Sequence, residues 1–283
     1  MEIIVVNDGS TDRTGEILKT YAKKGIKVIE QENQGQCAAA NRAYKEAKGE
    51  YIKFFDADDI LSENFIEHQV SLLNGRADYI ASAAWGRFYN DDLSTFKLNP
   101  EPVWKDMKPI DWLVESLWNG PNMMQCALWL IPRKVLEKSG LWNEKLSLIN
   151  DFDFFIRVIL ASEHILFSKE SILKYRSGLG NTLSATKSRK AMASACLSIQ
   201  LGCESILNYE DTERTRKVCA DCYQLWTYNT YPEFPDLSKK MHDKANTLGG
   251  SQLSFPAGGI TKKLVKLFGW KATKFLKSKL KLA

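Results

Sequence analysis

The chain has no long apolar run and few cysteines. No uninterrupted hydrophobic stretch reaches the roughly 18 residues that span a bilayer, and Met1 leads directly into an apolar run instead of a cleavable signal sequence. Six cysteines among 283 residues are too few for a small disulfide scaffold. The C-x-x-C pair Cys219 and Cys222 lies in a helical context, which favours buried apolar packing over a metal site. These absences predict a cytoplasmic protein or one on a membrane surface.

Acidic residues are absent from the last 24 residues, 260–283, which hold eight lysines. Without those lysines the 39 basic residues fall to 31 against 34 acidic ones, so the rest of the chain carries a net charge of −3. The apolar side chains of this segment gather on one side of a helical wheel, which predicts a basic amphipathic tail helix. We expect this helix to bind an anionic membrane surface, with Trp270 at the headgroup boundary. The alternative is a helix docked on the protein body. Nucleic acid is disfavoured as a partner because the tail lacks Arg and His and the rest of the chain is acidic.

The first 60 residues alternate apolar runs with helical patterns. Apolar runs at 2–6, 27–29 and 51–55 predict strands, and a helix from Gln36 to Lys48 precedes the third. Strands joined by helical crossovers predict an α/β fold with a Rossmann-like, mainly parallel mixed sheet flanked by helices. Further elements are predicted as helices at 62–73, 132–140, 150–160 and 187–228, strands at 78–82 and 125–131, and a connector at 231–256.

Three of the four residues after the third apolar run are acidic, namely Asp56, Asp58 and Asp59. In such sheets ligands bind beyond the carboxyl ends of the strands, where this loop falls. Three close carboxylates repel one another unless a cation lies between them, and carboxylate oxygens suit Mn²⁺ or Mg²⁺. An acidic cap on the next helix explains one aspartate but not three. The loop therefore predicts a divalent-metal site.

A second pair of acids, Asp151 and Asp153, opens the helix predicted at 150–160. The helix dipole favours an aspartate in the first turn without any further function. That explanation covers one of the two, so the other is a candidate functional carboxylate.

Four motifs together resemble the family 2 glycosyltransferases of the GT-A fold. Three of them occur in the order and spacing of that family, and the fourth resembles its acceptor-side acidic motif with Asn150 in place of the usual Glu. The motifs are Glu2–Asp12, Asn33–Gly35 with Asn41 and Arg42, Phe54–Asp59, and Asn150–Asp153 followed by Arg157.

The chain is predicted to have three parts. The resemblance covers residues 1–185, which would form the GT-A domain, with a nucleotide-sugar-binding half at 1–85 and an acceptor half at 86–185. The composition of the remaining residues predicts a helical extension and connector at 186–259 and the tail helix at 260–283.

The resemblance also implies roles for the acids. Asp8 would bind the nucleotide base, usually uracil, and Asp56 the ribose or sugar. Asp58 and Asp59 would hold the metal, Mn²⁺ or Mg²⁺, on the diphosphate, and Asp151 would be the general base. The other substrate-binding candidates are Asn33, Gly35, Asn41, Arg42 and Asp153.

The implied activity is inverting transfer of a sugar from a nucleotide-sugar, expected to be a UDP-sugar, to an acceptor hydroxyl in polysaccharide or glycolipid biosynthesis. The acceptor would be a glycan or lipid-linked, and the protein would lie on the inner face of the cell membrane. In the family a first strand and a Pro-Thr-Tyr-Asn-like loop normally precede the segment that begins here at Glu2, which implies a start codon assigned too late or a natural truncation. The alternative function is therefore a truncated, non-catalytic partner subunit that binds nucleotide-sugar or membrane.

Overall fold

The N-terminal part of the chain forms a parallel strand pair with helical crossovers. The computed structural model describes residues 1–121, 124–178 and 187–280. Strand β1 (Ile4–Asp8) pairs in parallel with β2 (Lys27–Gln31). Helix α1 (Thr14–Ala22) joins them, and α2 (Gln36–Glu46) follows β2. The expected boundary at residues 185 and 186 and the tail residues 281–283 lie outside the described residues.

The third predicted strand is shorter than its apolar run. β3 (Tyr51–Ile52) pairs antiparallel with β7 (Ile131–Pro132). Beyond β3 the ammonium of Lys53 donates to the carbonyl oxygens of Ala127 at 2.6 Å and Trp129 at 3.0 Å. A side chain thus joins two segments that were both predicted as strands, and the acidic loop follows a stretch without backbone pairing.

The strand predicted at 125–131 is wrong for most of its length. Residues Cys126–Leu128 form a 3₁₀ turn. The side-chain oxygen of Gln125 accepts the N–H of Ala127 at 2.6 Å, which caps this turn. A polar side chain that competes for backbone N–H groups therefore replaces the expected strand by a turn.

A four-stranded sheet has the order β4-β8-β5-β6. Its long strands β5 (Tyr79–Tyr89) and β8 (His164–Ser177) run parallel to each other. The shorter β4 (Ile60–Leu61) and β6 (Asp92–Leu98) flank them antiparallel. β5 continues past its predicted end at Ser82, and its residues from Ile80 to Gly86 are all buried, as in strands covered on both faces.

The α/β class with a mixed sheet is confirmed. The parallel pairs β1–β2 and β5–β8 carry most of the paired residues. Among the described residues the sheet is divided into three parts: β1 with β2, β3 with β7, and the four-stranded sheet.

Helix α6 (Asn150–Ala161) supplies the centre of the hydrophobic core. Its Phe154 stacks on Trp142 with 4.0 Å between ring centroids, and its Phe155 stacks on Trp129 at 5.8 Å. Both phenylalanines are fully buried. The other helices of this part are α3 (Phe65–Leu73), α4 (Pro109–Ser116) and α5 (Arg133–Ser139). The acidic first turn of α6 is thus attached to a rigid core helix.

Three further helices follow: α7 (Arg189–Tyr209), α8 (Glu213–Thr230) and α9 (Pro235–Thr247). The connector expected at 231–256 is wrong where α9 lies. A proline at the first turn starts this helix, and Met241 and Ala245 bury one face of it.

The six cysteines are free and buried, as their apolar interpretation predicts.

Gly202 of α7 lets that helix approach α6 closely. A Cβ at this position would lie 2.6 Å from a ring carbon of Phe152 and 2.8 Å from Cδ1 of Ile156. We expect Gly202→Ala to lower the free energy of unfolding by about 1–3 kcal/mol, because overpacking outweighs alanine's better helix propensity. Urea unfolding measures this beside Gly258→Ala, whose Cβ would meet nothing within 4 Å. Equal unfolding midpoints for the two variants would argue against the close packing.

The tail forms helix α10 (Gly259–Leu280), which bends at Gly269. That residue has φ 74° and ψ 160°, so its backbone is not helical. The continuous helix expected for the tail is therefore wrong, and two helical halves take its place. No helix in the described part of the chain is long and apolar enough to cross a membrane.

Trp270 begins the second half of α10 and lies in an aromatic cluster. Its ring meets Tyr228 edge-on at 4.7 Å and Tyr231 at 5.4 Å between centroids, and it stacks on Phe255 at 5.9 Å. These contacts with the protein body occupy the side chain that was expected at a membrane headgroup boundary. The docked-helix alternative therefore describes this half of the tail.

Candidate active site

Asp8 lies at the carboxyl end of β1, where its carboxylate accepts three hydrogen bonds. The donors are the side chain of Gln31 at 2.7 Å and the backbone N–H groups of Gln34 at 2.9 Å and Gly35 at 2.8 Å. The side chain of Asn33 donates to the Asp8 carbonyl at 2.9 Å. Burial raises the pKa of Asp8, but these donors outweigh it and leave the pKa below its ordinary value. The structure thus brings Asp8, Asn33 and Gly35 together as the motifs predict.

Two glycines make this approach possible. Gly9 has φ 74°, and a Cβ there would lie 2.8 Å from the backbone nitrogen of Asn33. Gly35 has φ 93°. Only glycine adopts such backbone angles readily, so the turns after β1 and β2 depend on both positions.

The acidic loop after β3 holds one exposed carboxylate and two protected ones. Asp58 is exposed, Asp56 is half-buried and Asp59 is buried. Burial raises the pKa of Asp56, and the charge of Asp58 adds to the rise. Burial likewise raises the pKa of Asp59 to about 7, with Asp58 and Asp56 contributing. The three carboxylates therefore interact electrostatically as one group.

Gln125 bridges two of these carboxylates. Its Nε2 donates to Oδ2 of Asp59 at 2.5 Å and to Oδ2 of Asp56 at 3.2 Å. The other oxygen of Asp59 accepts the backbone N–H of Arg176 at 2.9 Å. Arg176 also donates from Nε to the carbonyl of Asp58 at 2.6 Å. Both oxygens of Asp59 are thus engaged by protein donors.

The bridge predicts a pH-dependent stability effect of Gln125→Leu. We expect this variant to lose about 1–3 kcal/mol of unfolding free energy near pH 8, because the buried Asp59 carboxylate loses a donor in addition to the pH-independent loss of the cap on the 3₁₀ turn. The pKa of Asp59 is raised in the fold, so this group is protonated in the folded state at about pH 5 and the loss should be smaller there. In the wild-type protein, protonated Asp59 stabilises the fold because its pKa is higher in the folded than in the unfolded chain. This stabilisation is lost as the pH rises from about 4 to about 7.

Urea unfolding at the two pH values measures this effect. Gln252→Leu, at an exposed glutamine, is the matched control. An equal loss for Gln125→Leu at both pH values would contradict the role given to Asp59.

Asp151 opens α6 near the acidic loop. Burial raises its pKa to about 6 against the lowering effect of the Phe152 N–H, and the charge of Asp56 adds to the rise. The preceding Ile149 has φ 58°, which a β-branched residue seldom adopts. Its carbonyl accepts the hydroxyl of Ser198 from α7. The first turn of α6 is therefore held from a neighbouring helix, with a carboxylate of raised pKa on it.

Gln36 and Asn150 link the carboxylate groups to one another. Nε2 of Gln36 donates to Asp56 at 3.2 Å, and its Oε1 accepts from Nδ2 of Asn150 at 3.1 Å. Gln36 directly follows Gly35, whose N–H donates to Asp8. The N-terminus of α2 thus contacts Asp8 on one side and Asp56 with the start of α6 on the other.

Asp153 takes part in a buried ion pair. It is 3% exposed, and the guanidinium of Arg157 donates to its two oxygens at 2.9 and 3.3 Å. Arg157 also donates to the carbonyls of Ser139 at 2.6 Å and Leu141 at 2.9 Å. The pair thus fastens the loop after α5 to α6. Within the described residues no hydrogen bond or ion pair of the Asp153 carboxylate reaches the other acids.

Asn41 and Arg42 lie further along α2. The buried amide of Asn41 donates to the carbonyl of Trp142 at 2.9 Å and to Glu144 at 2.8 Å, and it accepts the N–H of Trp142 at 3.0 Å. Arg42 pairs with Glu46 at 3.4 Å on the surface. As far as the chain is described, neither contacts the carboxylates above through a hydrogen bond or ion pair.

The acidic loop fits a divalent cation at Asp58. This carboxylate is exposed, and its charge raises the pKa values of Asp56 and Asp59, although burial is the larger cause of both rises. Hard oxygen ligands of this kind suit Mn²⁺ and Mg²⁺. Asp59 is less available than Asp58, because its oxygens accept hydrogen bonds from Gln125 and from the N–H of Arg176. Over the described ranges no group of three ligating side chains is already assembled.

Sequence reasoning missed the neutral and basic residues that connect the acids. These are Gln31, Gln36, Gln125 and Arg176. A signal existed for Gln36, which adjoins the Asn33–Gly35 motif. The others follow no motif, and their roles depend on how distant segments meet.

Comparison with known proteins supports the resemblance found in the sequence. Residues 1–140 match the sequence model of the family "Glycosyl transferase family 2". An uncharacterised glycosyltransferase of Rickettsia typhi is 33% identical over 181 residues, which is 62% of this chain and 54% of that protein. This chain thus spans about half the length of that relative.

Solved structures share the fold at low sequence identity. S. aureus TarS 1-349 in complex with UDP-GlcNAc matches with a TM-score of 0.68 and 17% identity, over 87% of this chain and 72% of that one. GalNAc-T7 with UDP, GalNAc and Mn²⁺ matches with a TM-score of 0.54 and 14% identity, over 96% and 51%.

Fold and site therefore define an α/β protein of the GT-A type with carboxylates at its strand ends. Residues 1–140 are a family 2 glycosyltransferase domain, and the family inferred from the sequence motifs is confirmed.

Proposed function

We propose that this protein transfers a sugar from a UDP-sugar to an acceptor hydroxyl, with inversion at the anomeric carbon. The observation that carries the proposal is the pair Gly35 and Gln36, consecutive residues that contact Asp8 and Asp56 respectively. Asp151 is close enough to Asp56 for the charge of one to raise the pKa of the other. Donor-binding residues and a candidate base therefore belong to one site.

Asp8 contacts the nucleotide base in this proposal. The lowered pKa keeps its carboxylate ionised, and a carboxylate has about four lone-pair positions, of which protein donors use three. The remaining position, on Oδ2, accepts an N–H of uracil, and Asn33 lies beside it. Asp56 contacts the ribose or sugar. The UDP-GlcNAc in the TarS structure supports a uracil nucleotide.

Asp58 holds the divalent cation, with Asp59 as a second ligand after its release from Gln125. When bound, Mn²⁺ or Mg²⁺ neutralises the charge that builds up on the leaving diphosphate. The Mn²⁺ in the GalNAc-T7 structure supports this choice of ion.

Asp151 takes the proton of the acceptor hydroxyl as that oxygen attacks the anomeric carbon. The new carbon–oxygen bond forms while the bond to the diphosphate breaks, and UDP leaves with the bonding electrons. A single displacement inverts the anomeric centre. The pKa of about 6 suits this role, because the group is ionised near neutral pH and still basic enough to accept a proton.

The acceptor in this proposal is a glycan or a lipid-linked sugar in polysaccharide or glycolipid biosynthesis. The protein works on the cytoplasmic face of the cell membrane, to which its lysine-rich tail attaches. The exposed apolar and basic side chains of α10 support this location.

Release of nucleoside diphosphate tests the proposed reaction. The chain is incubated with Mn²⁺ and, in turn, UDP-GlcNAc, UDP-glucose, UDP-galactose and GDP-mannose, and free diphosphate is measured with and without a mixed glycan acceptor. We expect release from a UDP-sugar and an inverted anomeric proton coupling in the product. Saturable UDP binding without release from any donor would instead support a non-catalytic partner subunit.

A further inference from the structure

The bend at Gly269 divides α10 into two parts with different surroundings. We call residues 259–268 the outer half and 270–280 the docked half. In the docked half Thr273 is 2% exposed, and the ammonium of Lys274 donates to a backbone carbonyl of α8. These positions and Trp270 share one helical face because they are spaced by three or four residues. The docked half is thus attached to the protein body through that face.

The outer half exposes its large apolar side chains. Ile260 is 76% exposed, Leu267 74% and Phe268 61%. Together with Leu264 they fall within an arc of about 100° on a helical wheel. A contiguous apolar face of this kind is uncommon on a free protein surface. Large apolar side chains that are this exposed indicate a surface that is covered by a membrane or by another protein.

The lysines of the outer half lie on the opposite side of the helix. They are Lys262, Lys263 and Lys266, and all three are exposed. No Asp or Glu occurs between residues 260 and 283. Solvation alone favours either sign of charge equally, whereas anionic lipid headgroups favour cations only. An apolar stripe flanked by lysines therefore matches the interface of an anionic bilayer.

We propose that the outer half of α10 lies along the surface of an anionic membrane. Ile260, Leu267 and Phe268 enter the boundary between headgroups and acyl chains, and the lysines face the lipid phosphates. The docked half connects this contact to the protein body. The inference rests on the membrane location in the proposed function, but its test requires no sugar transfer.

Co-sedimentation of the full chain with vesicles tests this assignment. One set contains equal parts of phosphatidylcholine and phosphatidylglycerol, and the other phosphatidylcholine alone. We expect binding to the anionic vesicles that weakens in high salt. Leu267→Ser combined with Phe268→Ser should lower the partition coefficient at least about tenfold. The triple change of Lys262, Lys263 and Lys266 to Gln should do the same at low salt.

Two further variants locate the contact. Leu93→Ser with Leu98→Ser, two leucines of β6 that are 46% and 48% exposed, should leave binding unchanged. Leu276→Ser with Leu280→Ser, in the docked half, should have a smaller effect than the outer-half pair. Circular dichroism confirms that each variant is folded. An equal loss in the docked-half pair would overturn the assignment to the outer half.

Absence of wild-type binding to anionic vesicles would overturn the membrane proposal. A wild-type dimer in sedimentation velocity without lipid, dispersed by the outer-half pair, would show that a second copy covers this face and would overturn it too. Nucleotide release is measured on the same preparations. Release that persists while vesicle binding fails separates this inference from the proposed transfer reaction.

Discussion

Asp151→Asn is expected to lower the rate of sugar transfer by about 10²–10⁴-fold while UDP binding stays the same. A general base acts on the acceptor hydroxyl during the reaction and contributes a factor of this size. The asparagine keeps the shape of the side chain and its position at the first turn of α6 but cannot accept the proton. The transfer rate with saturating donor and the dissociation constant of UDP by calorimetry measure the two effects separately.

The substitution Asp153→Asn, two residues further along α6, is the control. Asp153→Asn breaks the buried pair with Arg157, so we expect lower stability but a transfer rate per folded molecule near that of wild type. A greater loss of rate in Asp153→Asn than in Asp151→Asn, at equal folded fraction, would assign the base to the wrong carboxylate.

The pH profile provides a second readout for Asp151. Its pKa lies at about 6 in the free protein, so kcat/KM should fall as pH drops below that value and the base becomes protonated. The residual activity of Asp151→Asn should lack this acid limb. An acid limb that persists in the variant would show that another group titrates.

Asp58→Asn is expected to weaken Mn²⁺-dependent UDP binding at least about 10–100-fold. Changes in the surroundings of a metal ligand already cost this much in affinity, and loss of a direct, charged ligand costs no less. Asp58 is the exposed carboxylate of the acidic loop, so its substitution removes the proposed ligand that needs no rearrangement. Calorimetric titration of UDP at fixed Mn²⁺ measures the change.

Glu63→Gln controls for the loss of one negative charge. This glutamate is exposed and lies shortly after the loop, outside the carboxylate group. We expect its UDP affinity to match that of wild type. UDP binding that is unchanged by Asp58→Asn and by a chelator would remove the metal from the donor site.

Much of the proposed donor side of the site could be predicted from the sequence because its residues lie at or after the ends of apolar runs. Asp8 ends β1, Asn33 comes shortly after β2, and these two strands pair in parallel. Both positions can therefore be predicted from local pattern and the general geometry of α/β sheets. The position of the acidic loop could be predicted in the same way, because the loop follows a third apolar run. Only two residues of that run form a paired strand.

The connecting residues could not be predicted, because their contacts join segments far apart in the chain. Gln125 meets Asp56 and Asp59 across more than sixty positions, and Arg176 meets Asp59 across more than one hundred. Their chemistry also changes the expected role of Asp59, since protein donors occupy both of its oxygens. The general hydrophobic pattern carries no information about such pairs.

The bend in the C-terminal helix α10 could not be predicted from the sequence either. Its apolar and basic pattern correctly indicates a helix, but a helical wheel assumes a straight axis. Gly269 interrupts that axis, and Trp270 then finds aromatic partners on α8 and in the segment before α10. Only the packed structure separates the half that contacts the body from the half that remains exposed.

A calorimetric titration of the wild-type chain with UDP, with and without Mn²⁺, tests the central claim most directly. We expect saturable binding that Mn²⁺ strengthens and a chelator reverses, and that is lost in Asp8→Asn, because the proposed site around Asp8, Asp56 and Asp58 would bind nucleotide and metal together. Absence of saturable UDP binding to the folded chain, or binding that Asp8→Asn and the chelator both leave unchanged, would contradict the proposed site for nucleotide and metal.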